Sequence, residues 1–437
     1  LSAWARVKGL HVLGTGDFTH SQWRKELKEA LVFDEASGLY KVRDTKEIDA
    51  ELPEYAGMGE GVDALFMLQG EISSIYKRGG AVRKVHNLVF MPDFESAEKF
   101  CAKLAQTGNL ESDGRPILGL DSRNLLEMVL EADPRAFLIP AHIWTPWFSL
   151  FGSKSGFNDI SECFGDLSGE IFALETGLSS DPEMNRMWSA LDRFKLVSNS
   201  DAHSGENLGR EANLFTGPAT YDGIYRYLKG LPTETVFNGT LEFYPEEGKY
   251  HLDGHRKCDV VLDPQETREL GGICPVCGKP LTVGVLYRVM ELADRDEPVY
   301  DDGKNFESLI PLPEILSEIL DCGSKSKKVA ALHAKVVARF GSELNVLQTV
   351  PVDELARFMA PLGEGVDRMR RGQVTREGGY DGEYGVVRVF SEKERGEFTR
   401  GATLAGFTPA VGLTLDGTEP DVPSKRGRKP KQAEQPE

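Results

Sequence analysis

Leu196-Val197-Ser198-Asn199-Ser200-Asp201-Ala202-His203-Ser204 decides how the rest of the chain is read. An apolar run stops on polar residues, as a buried parallel strand does at its carboxyl end. Asp201 and His203 follow, two apart. Surface turns also carry Asp-x-His pairs, so this pair alone assigns nothing. The same grammar recurs, however. Leu10–Phe18 (LHVLGTGDF) ends on Asp17, with His20 close behind, and Ala64–Ser73 (ALFMLQGEIS) delivers Glu71. Pro116–Ser122 delivers Asp121, Ala136–Trp144 delivers His142, and Ile171–Gly177 delivers Glu175. In a β/α barrel the carboxyl ends of the strands converge on one face, where active sites lie. Helical patterns at Ser21–Phe33, Ser96–Gln106, Ser122–Glu131 and Pro182–Phe194 separate the runs. That alternation predicts parallel βα units over residues 1–245. Val82–Met91 departs from the pattern because His86 comes early in it. It is expected to pair as a hairpin with the preceding run, across Lys77-Arg78-Gly79-Gly80.

The chain has 437 residues, 40% of them hydrophobic and 27% charged, the composition of a soluble globular protein with room for several domains. No apolar run is long enough to span a membrane. It opens on Leu1 within a helical pattern, so residues upstream are expected. A net charge of −18 argues against a surface coated in nucleic-acid-binding charge, yet leaves room for a local basic groove. Three of the six cysteines are bunched at 258, 274 and 277, which is metal usage and suits a reducing cytoplasm. Cys101, Cys163 and Cys322 read as small packed residues.

Residues 246–300 change character. His255-x-x-Cys258 and Cys274-x-x-Cys277 form two knuckles, and a two-residue gap lets both ligands of a knuckle reach one tetrahedral Zn²⁺. His251 is an alternative to His255 as fourth ligand. A closed four-ligand zinc is structural and assigns no chemistry. Residues 301–395 read as mainly helical, with Pro313–Leu320 and Lys327–Phe340 flanking a glycine turn. Lys325 and Lys327 there are candidates for holding a phosphate at a helix amino end, against the plain reading of a solvated loop. A short strand is expected at Val386–Phe390, after Gly378–Gly385 (GGYDGEYG), which suggests no mechanism of its own. From 396 to 437 the chain loses periodicity and is expected to be disordered. Its basic run Lys425-Arg426-Gly427-Arg428-Lys429-Pro430-Lys431 suits non-specific phosphate contact.

Asp17, His20, Glu71, His86, His142, Asp201 and His203 are too many ligands for one ion. Imidazole with carboxylate suits Zn, Mn or Fe. Two or three such ions can clamp the attacking and leaving oxygens of a phosphate ester and acidify a water. Gly14-Thr15-Gly16-Asp17, Glu71, His86, His142 and Ser200-Asp201-Ala202-His203 resemble the polymerase-and-histidinol-phosphatase superfamily of metal-dependent phosphoesterases. More closely, GTGDFTH, QGEISSIY, VHNLVFMP, PAHIWTPWFSLFG, ETGLSSDP, SNSDAHS, the GHRKC and CPVCG knuckles and GGYDGEYG are similar to the endonuclease Q family, over roughly residues 1–390.

The resemblance implies a distorted seven-stranded βα barrel over 1–245, then the zinc module, the helical DNA-binding region and the tail. It implies two to three divalent ions in the barrel (Zn, Mn or Mg) and one structural Zn. It also implies a hydrolase that nicks DNA 5′ of deaminated bases (uracil, hypoxanthine, xanthine) and abasic sites by metal-activated water. The superfamily opens with a His-x-His pair that this chain lacks, so the missing strand is expected upstream of Leu1, and activity without it is expected to be impaired. By resemblance Asp17 and His203 hold one metal, His86 and His142 a second, and Glu71 bridges. Asp201 belongs to the position that needs the absent pair. Arg210 is a candidate clamp for the scissile phosphate. Glu175 faces substrate or supports a ligand. Trp144, Trp147, Phe148 and Phe151, on the loop after His142, are candidates for stacking a base rotated out of the duplex. Location at the nucleoid, with repair or replication proteins as partners and no membrane, follows from this reading. Two alternatives remain: a phosphatase of the same superfamily acting on a small phosphate ester, and a non-enzymatic nucleic-acid-binding protein with an incomplete metal site.

Overall fold

The hairpin expected across Lys77–Gly80 is the longest pairing in the chain. Leu65–Arg78 runs antiparallel to Ala81–Met91 from Leu68, opposite Met91, to Arg78, opposite Ala81. Gly79 and Gly80 take φ of 61° and 77°, a left-handed pair that glycine adopts without a Cβ clash and that matches the twist of a two-residue hairpin. This computed structural model describes residues 1–44, 52–55, 63–112, 114–300 and 305–399. The basic run at 425–431 and nearly all of the expected disordered tail lie outside the described residues.

Around the hairpin grows a seven-stranded sheet. Leu31–Asp34 pairs with Leu39–Val42, which joins Leu65–Arg78; Phe137–Pro140 adds to the far side of Ala81–Met91. Val12–Gly14 and Ile117–Leu118 pair parallel with Leu65–Arg78 at opposite ends. A separate parallel pair, Ala173–Glu175 with Lys195–Val197, follows. Ala212–Thr216 then pairs antiparallel with Val236–Phe243. Single bonds link these ladders: Ile143 N–H donates to Glu175 O at 3.2 Å, and Ser198 N–H to Asn213 Oδ1 at 3.0 Å. Met67, Leu88, Phe137, Ile139 and Val197 from successive ladders meet in one apolar cluster. The architecture is mixed α/β. Among the described residues the wall is interrupted rather than a continuous ring of hydrogen bonds.

Three expectations need correction. The first half is not built of parallel βα units alone, because its central strands are the antiparallel hairpin. The Ser21–Phe33 helix stops at Ala30, and Leu31-Val32-Phe33 goes into an edge strand, where aliphatic, β-branched and aromatic side chains pack well. The Pro182–Phe194 helix ends at Asn185. There Asn185 Nδ2 bonds back to Asp181 O, and Arg186 donates to Leu191 O and Phe194 O, which ties the following residues into a short 3₁₀ turn.

The later regions are stitched to the barrel. Phe306–Leu309 pairs parallel with Val236–Phe243, so one three-stranded sheet draws on chain from both sides of the zinc module. Helix Val285–Leu292 sets Val285 and Val289 into the barrel core. Leu312–Leu320, Lys327–Phe340, Val352–Phe358 and Ala360–Arg370 pack around Leu316, Val337, Leu362 and Val366. Val7 of helix Ser2–Lys8 joins that second core. Beside it a buried ion pair forms, with Lys8 Nζ 2.6 Å from Glu343 Oε2 and His333 Nε2 3.0 Å from the same oxygen. No helix among the described residues is long and apolar enough to cross a membrane.

Candidate metal centre

Glu71 and His86 arrive on the two arms of the hairpin. Glu71 lies two residues before Ser73, and Ser73 lies opposite His86. Alternation along a strand therefore puts both side chains on one face as diagonal neighbours. Both sit mid-strand, not at strand ends, because the hairpin partner keeps the ladder going past them. His142 arrives from the loop after Phe137–Pro140, with φ of 29°.

The three converge. Glu71 Oε1 is 2.9 Å from His86 Nδ1 and 3.4 Å from His142 Nε2, and the two ring nitrogens are 3.1 Å apart. One ligand atom from each residue lies within 4.8 Å of the others. Burial raises the cost of ionising Glu71, but hydrogen bonds from His142 and His86 overcome it and hold the carboxyl well below its usual range. Burial also pulls His86 down from its ordinary value. A carboxylate oxygen beside two imidazoles suits a divalent ion such as Zn or Mn. Glu71, His86 and His142 fit such an ion.

A layer behind the ring fixes His142. Glu175 Oε2 accepts the His142 backbone N–H at 2.7 Å, and its Oε1 accepts Asn199 Nδ2 at 2.8 Å. Asn213 Nδ2 in turn donates to Asn199 Oδ1 at 3.1 Å. Burial pushes the Glu175 carboxyl up to about 7, against the pull of His142 and Asn199. Gly177 closes the cradle: a Cβ there would fall 2.5 Å from His142 Cβ, and its φ is +66°. Both Glu175 carboxylate oxygens are thus engaged by His142 and Asn199. Gly177 and Asn199 carried no signal in the sequence beyond lying near Glu175 and Asp201.

Of the seven expected ligands, the other four line the same cavity, of about 1250 Å³, without joining that cluster. His20 caps helix Ser21–Ala30, its Nδ1 accepting Trp23 N–H at 3.4 Å. Asp17 and Asp201 hold left-handed turns, with φ of 38° and 43°. The His203 side chain is 71% exposed, and its Nδ1 lies 3.0 Å from Asp201 O. Asp121 is a helix cap, accepting Arg123 N–H at 2.9 Å.

Other candidates also move. Arg210 donates to Ser200 O at 2.8 Å and Asp201 O at 3.2 Å, so it braces the Asp201 turn. Trp144 is 1% exposed and donates to Asn185 Oδ1 at 2.8 Å, and Phe151 is equally buried; neither offers a face to a base. Phe148 packs on His86, with ring centroids 4.8 Å apart. Trp147 remains 40% exposed and meets Tyr250 edge-on. Lys325 and Lys327 are exposed at the head of helix Lys327–Phe340, whose first turn is already capped by Ser326.

Sequence reading missed Arg115. Ile117 pairs with Ser73 in parallel register, so two residues back on both chains Arg115 comes alongside Glu71. Its Nη1 bonds Glu71 Oε1 and lies 2.8 Å from His86 Nδ1, and its Nη2 is 3.4 Å from His203 Nε2. The available signal was a lone basic residue just before a short strand of the barrel.

A second cluster brings the four knuckle residues together. His255, Cys258, Cys274 and Cys277 bring one ligand atom each within 4.8 Å of the others, with Cys277 Sγ 3.4 Å from His255 Nδ1. His251 stands outside it, buried beneath the Gly248–His251 turn. The GGYDGEYG segment is its collar. Asp381 accepts Arg256 N–H at 2.7 Å and the Thr282 hydroxyl at 2.6 Å, and Tyr380 donates to Asp259 at 2.9 Å, clamping the turn that carries His255 and Cys258.

Comparison with known proteins adds the following. Residues 311–373 match the family described as the MJ0043 C-terminal domain. The uncharacterized protein MJ0043 of Methanocaldococcus jannaschii is 31% identical over 255 residues, 57% of this chain, and the chain spans 32% of the length of that relative. The uncharacterized protein YqxK of Bacillus subtilis is 30% identical over 391 residues, 87% of this chain and 89% of its own length. The crystal structure of the lesion-specific endonuclease PfuEndoQ from Pyrococcus furiosus is similar, with a TM-score of 0.75 and 30% identity over 89% of each chain. A crystal structure of endonuclease Q with a 27-mer duplex substrate carrying an abasic lesion at the active site has a TM-score of 0.74 and 30% identity, over 90% of this chain and 91% of that one.

Proposed function

Because the chain belongs to the endonuclease Q family, we propose that it is a DNA repair endonuclease that hydrolyses the phosphodiester 5′ of deaminated bases and abasic sites. Uracil, hypoxanthine and xanthine are the deaminated bases in question. The observation that carries this reading is the Glu71–His86–His142 ring, set in the fold of a relative whose structure holds a damaged duplex at its active site. Divalent ions held by that ring would stabilise charge on the phosphate and acidify a water. No Ser or Cys side chain belongs to the ring, which favours hydrolysis over a covalent enzyme intermediate.

The chain's own residues then divide the work. Glu71, His86 and His142 would hold the ions, with Glu71 Oε1 near both imidazoles. Glu175 and Gly177 fix His142. Arg210 fixes the turn of Asp201, while Asp17, Asp201 and His203 line the same cavity as further ligands. Trp147, exposed five residues after His142, offers a ring on which a displaced base can stack. His255, Cys258, Cys274 and Cys277 hold one structural zinc and take no part in the chemistry. The products are a 3′-hydroxyl and a 5′-phosphate, with the base left attached. Action on chromosomal DNA in the cytoplasm, beside repair or replication proteins, goes with this substrate.

The test is a duplex carrying a single uracil, a second carrying a single abasic site, and an undamaged control. A nick on the 5′ side of the lesion, abolished by EDTA, supports the proposal. Release of free uracil before any strand break, or hydrolysis of a small phosphate ester with no nicking, opposes it.

A further inference from the structure

Three groups of the candidate metal site share one partner that carries a fixed positive charge. Arg115 touches Glu71 Oε1 and lies 2.8 Å from His86 Nδ1 and 3.4 Å from His203 Nε2. A guanidinium is not deprotonated in proteins, so it can only donate at these positions. The Glu71 oxygen it bonds, and the ring nitrogens it crowds, are atoms a metal ion would use. Two cations cannot use them together.

The backbone makes this placement a property of the fold. Ile117 and Leu118 pair in parallel register with Ser73 and Ser74, and Ser73 N–H donates to Pro116 O at 2.9 Å. Pro116 is locked at φ near −65° by its ring and pushes Arg115 toward extended backbone. Arg115 is therefore delivered alongside Glu71 by strand pairing. The side chain is 24% exposed, so its head sits at the edge of the ring with solvent beyond it.

We propose that Arg115 is an internal counter-cation of the metal site: it holds Glu71, His86 and His203 together, competes with divalent metal for them, and on displacement receives the phosphate of the substrate. The exchange is one of positive charge for positive charge, so Glu71 is never left unpaired in the interior. Displaced from the ring, the five-donor fork stays tethered within one side-chain length of it, and a planar fork matches a phosphate in two-point contact. The phosphate half of this proposal rests on the phosphodiesterase reading above; the competition half does not.

The experiment separates the two. Mn²⁺ alone is titrated calorimetrically into the full chain and into Arg115→Ala and Arg115→Lys, without DNA, after melting curves establish that all three are folded. Arg115→Ala should bind Mn²⁺ about tenfold more tightly at its barrel site, with Arg115→Lys between it and the parent. Affinity equal to or below the parent's in Arg115→Ala overturns the competition. Inorganic phosphate is then titrated into each Mn²⁺-loaded protein. Arg115→Ala should bind phosphate about tenfold more weakly, and unchanged phosphate affinity overturns the second half. Tighter metal and weaker phosphate binding in a protein that nicks no damaged duplex would retain the proposal for Arg115 and sink the lesion-endonuclease reading alone.

Discussion

The molecule holds two candidate metal sites built on opposite plans. At the knuckle, four ligands come from 23 residues of chain, His255 to Cys277, and close on one another. In the barrel, Glu71, His86 and His142 come from two arms of a hairpin and the loop after a separate strand, and the ring stays open toward a large cavity. The knuckle is held by its own collar, the Gly378–Gly385 segment. The ring is held by groups from elsewhere in the barrel: Glu175, Asn199 and Gly177. Closed four-ligand zinc serves folding, while a site with open positions serves chemistry. Under the proposed function, stability falls to one site and reaction to the other, and each can be disturbed separately.

The largest effect should come from Cys274→Ser. Structural zinc in isolated finger peptides is worth roughly 10–16 kcal/mol of binding free energy, which is folding free energy when the site does not preform. The variant should lose one Zn²⁺ by elemental analysis and unfold locally over residues 253–282, as hydrogen exchange would register. Barrel metal content should be unchanged. Retention of all zinc would remove the basis of the comparison.

Next comes a change that should spare both sites. Glu343 is fully buried between Lys8 and His333. Burial opposes its ionisation, but the Lys8 charge and the His333 hydrogen bond prevail and hold its carboxyl down at about 2. A carboxyl ionising near 2 when folded and near 4.5 when exposed stabilises the fold fully above pH 4.5, and that contribution fades as pH falls toward 2. Glu343→Gln leaves Lys8 buried and unpaired, at a cost of about 3–5 kcal/mol, and should flatten the acid limb of the stability curve. Melting followed from pH 7 to pH 2 checks this. A loss of metal at either site would show that the two are not independent of the domain contact.

Smaller in stability but decisive for the ring is Gly177→Ala. A Cβ at 2.5 Å from His142 Cβ, on a backbone with φ of +66°, cannot be accommodated without moving one of them. Strain of about 1–3 kcal/mol is expected, with barrel metal affinity and nicking falling together while the knuckle keeps its zinc. The smallest change is Trp147→Ala. It should cost about 1–3 kcal/mol in binding a lesion duplex, if one base stacks there, and leave metal content at both sites untouched. Equal affinity for parent and variant in a fluorescence titration would take Trp147 out of substrate binding.

The two plans also explain what the sequence made legible. Two Cys-x-x-Cys-type knuckles announce themselves because spacing along the chain equals spacing in space. Glu71 and His142 were found because they punctuate apolar runs, and His86 because it breaks one. That grammar named seven ligands, yet it says nothing of rotation within a cavity, and three converge. His20 reads the same whether it caps a helix or binds an ion, since a ring nitrogen serves both. Trp144 and Trp147 are both aromatic loop residues, and only packing against Asn185, Phe151 and Trp188 separates the buried one from the exposed one. Arg115 was invisible because its role depends on the register of a two-residue strand, Ile117–Leu118, too short to leave a period. The helix Lys327–Phe340 was legible to the residue, having Ser326 as its cap and Gly341 at its end. The break at Asn185 was not, because side-chain bonds to nearby backbone carbonyls end that helix.

The central claim is that the open ring performs lesion-directed hydrolysis while the closed knuckle does not. It is tested most directly by mapping strand breaks, on a denaturing gel, in a duplex carrying one uracil, for the full-length protein and for His142→Ala. The account predicts a single metal-dependent nick 5′ of the uracil from the parent, and none from His142→Ala although that variant retains its knuckle zinc and its affinity for DNA. Nicking at undiminished rate by His142→Ala would contradict it.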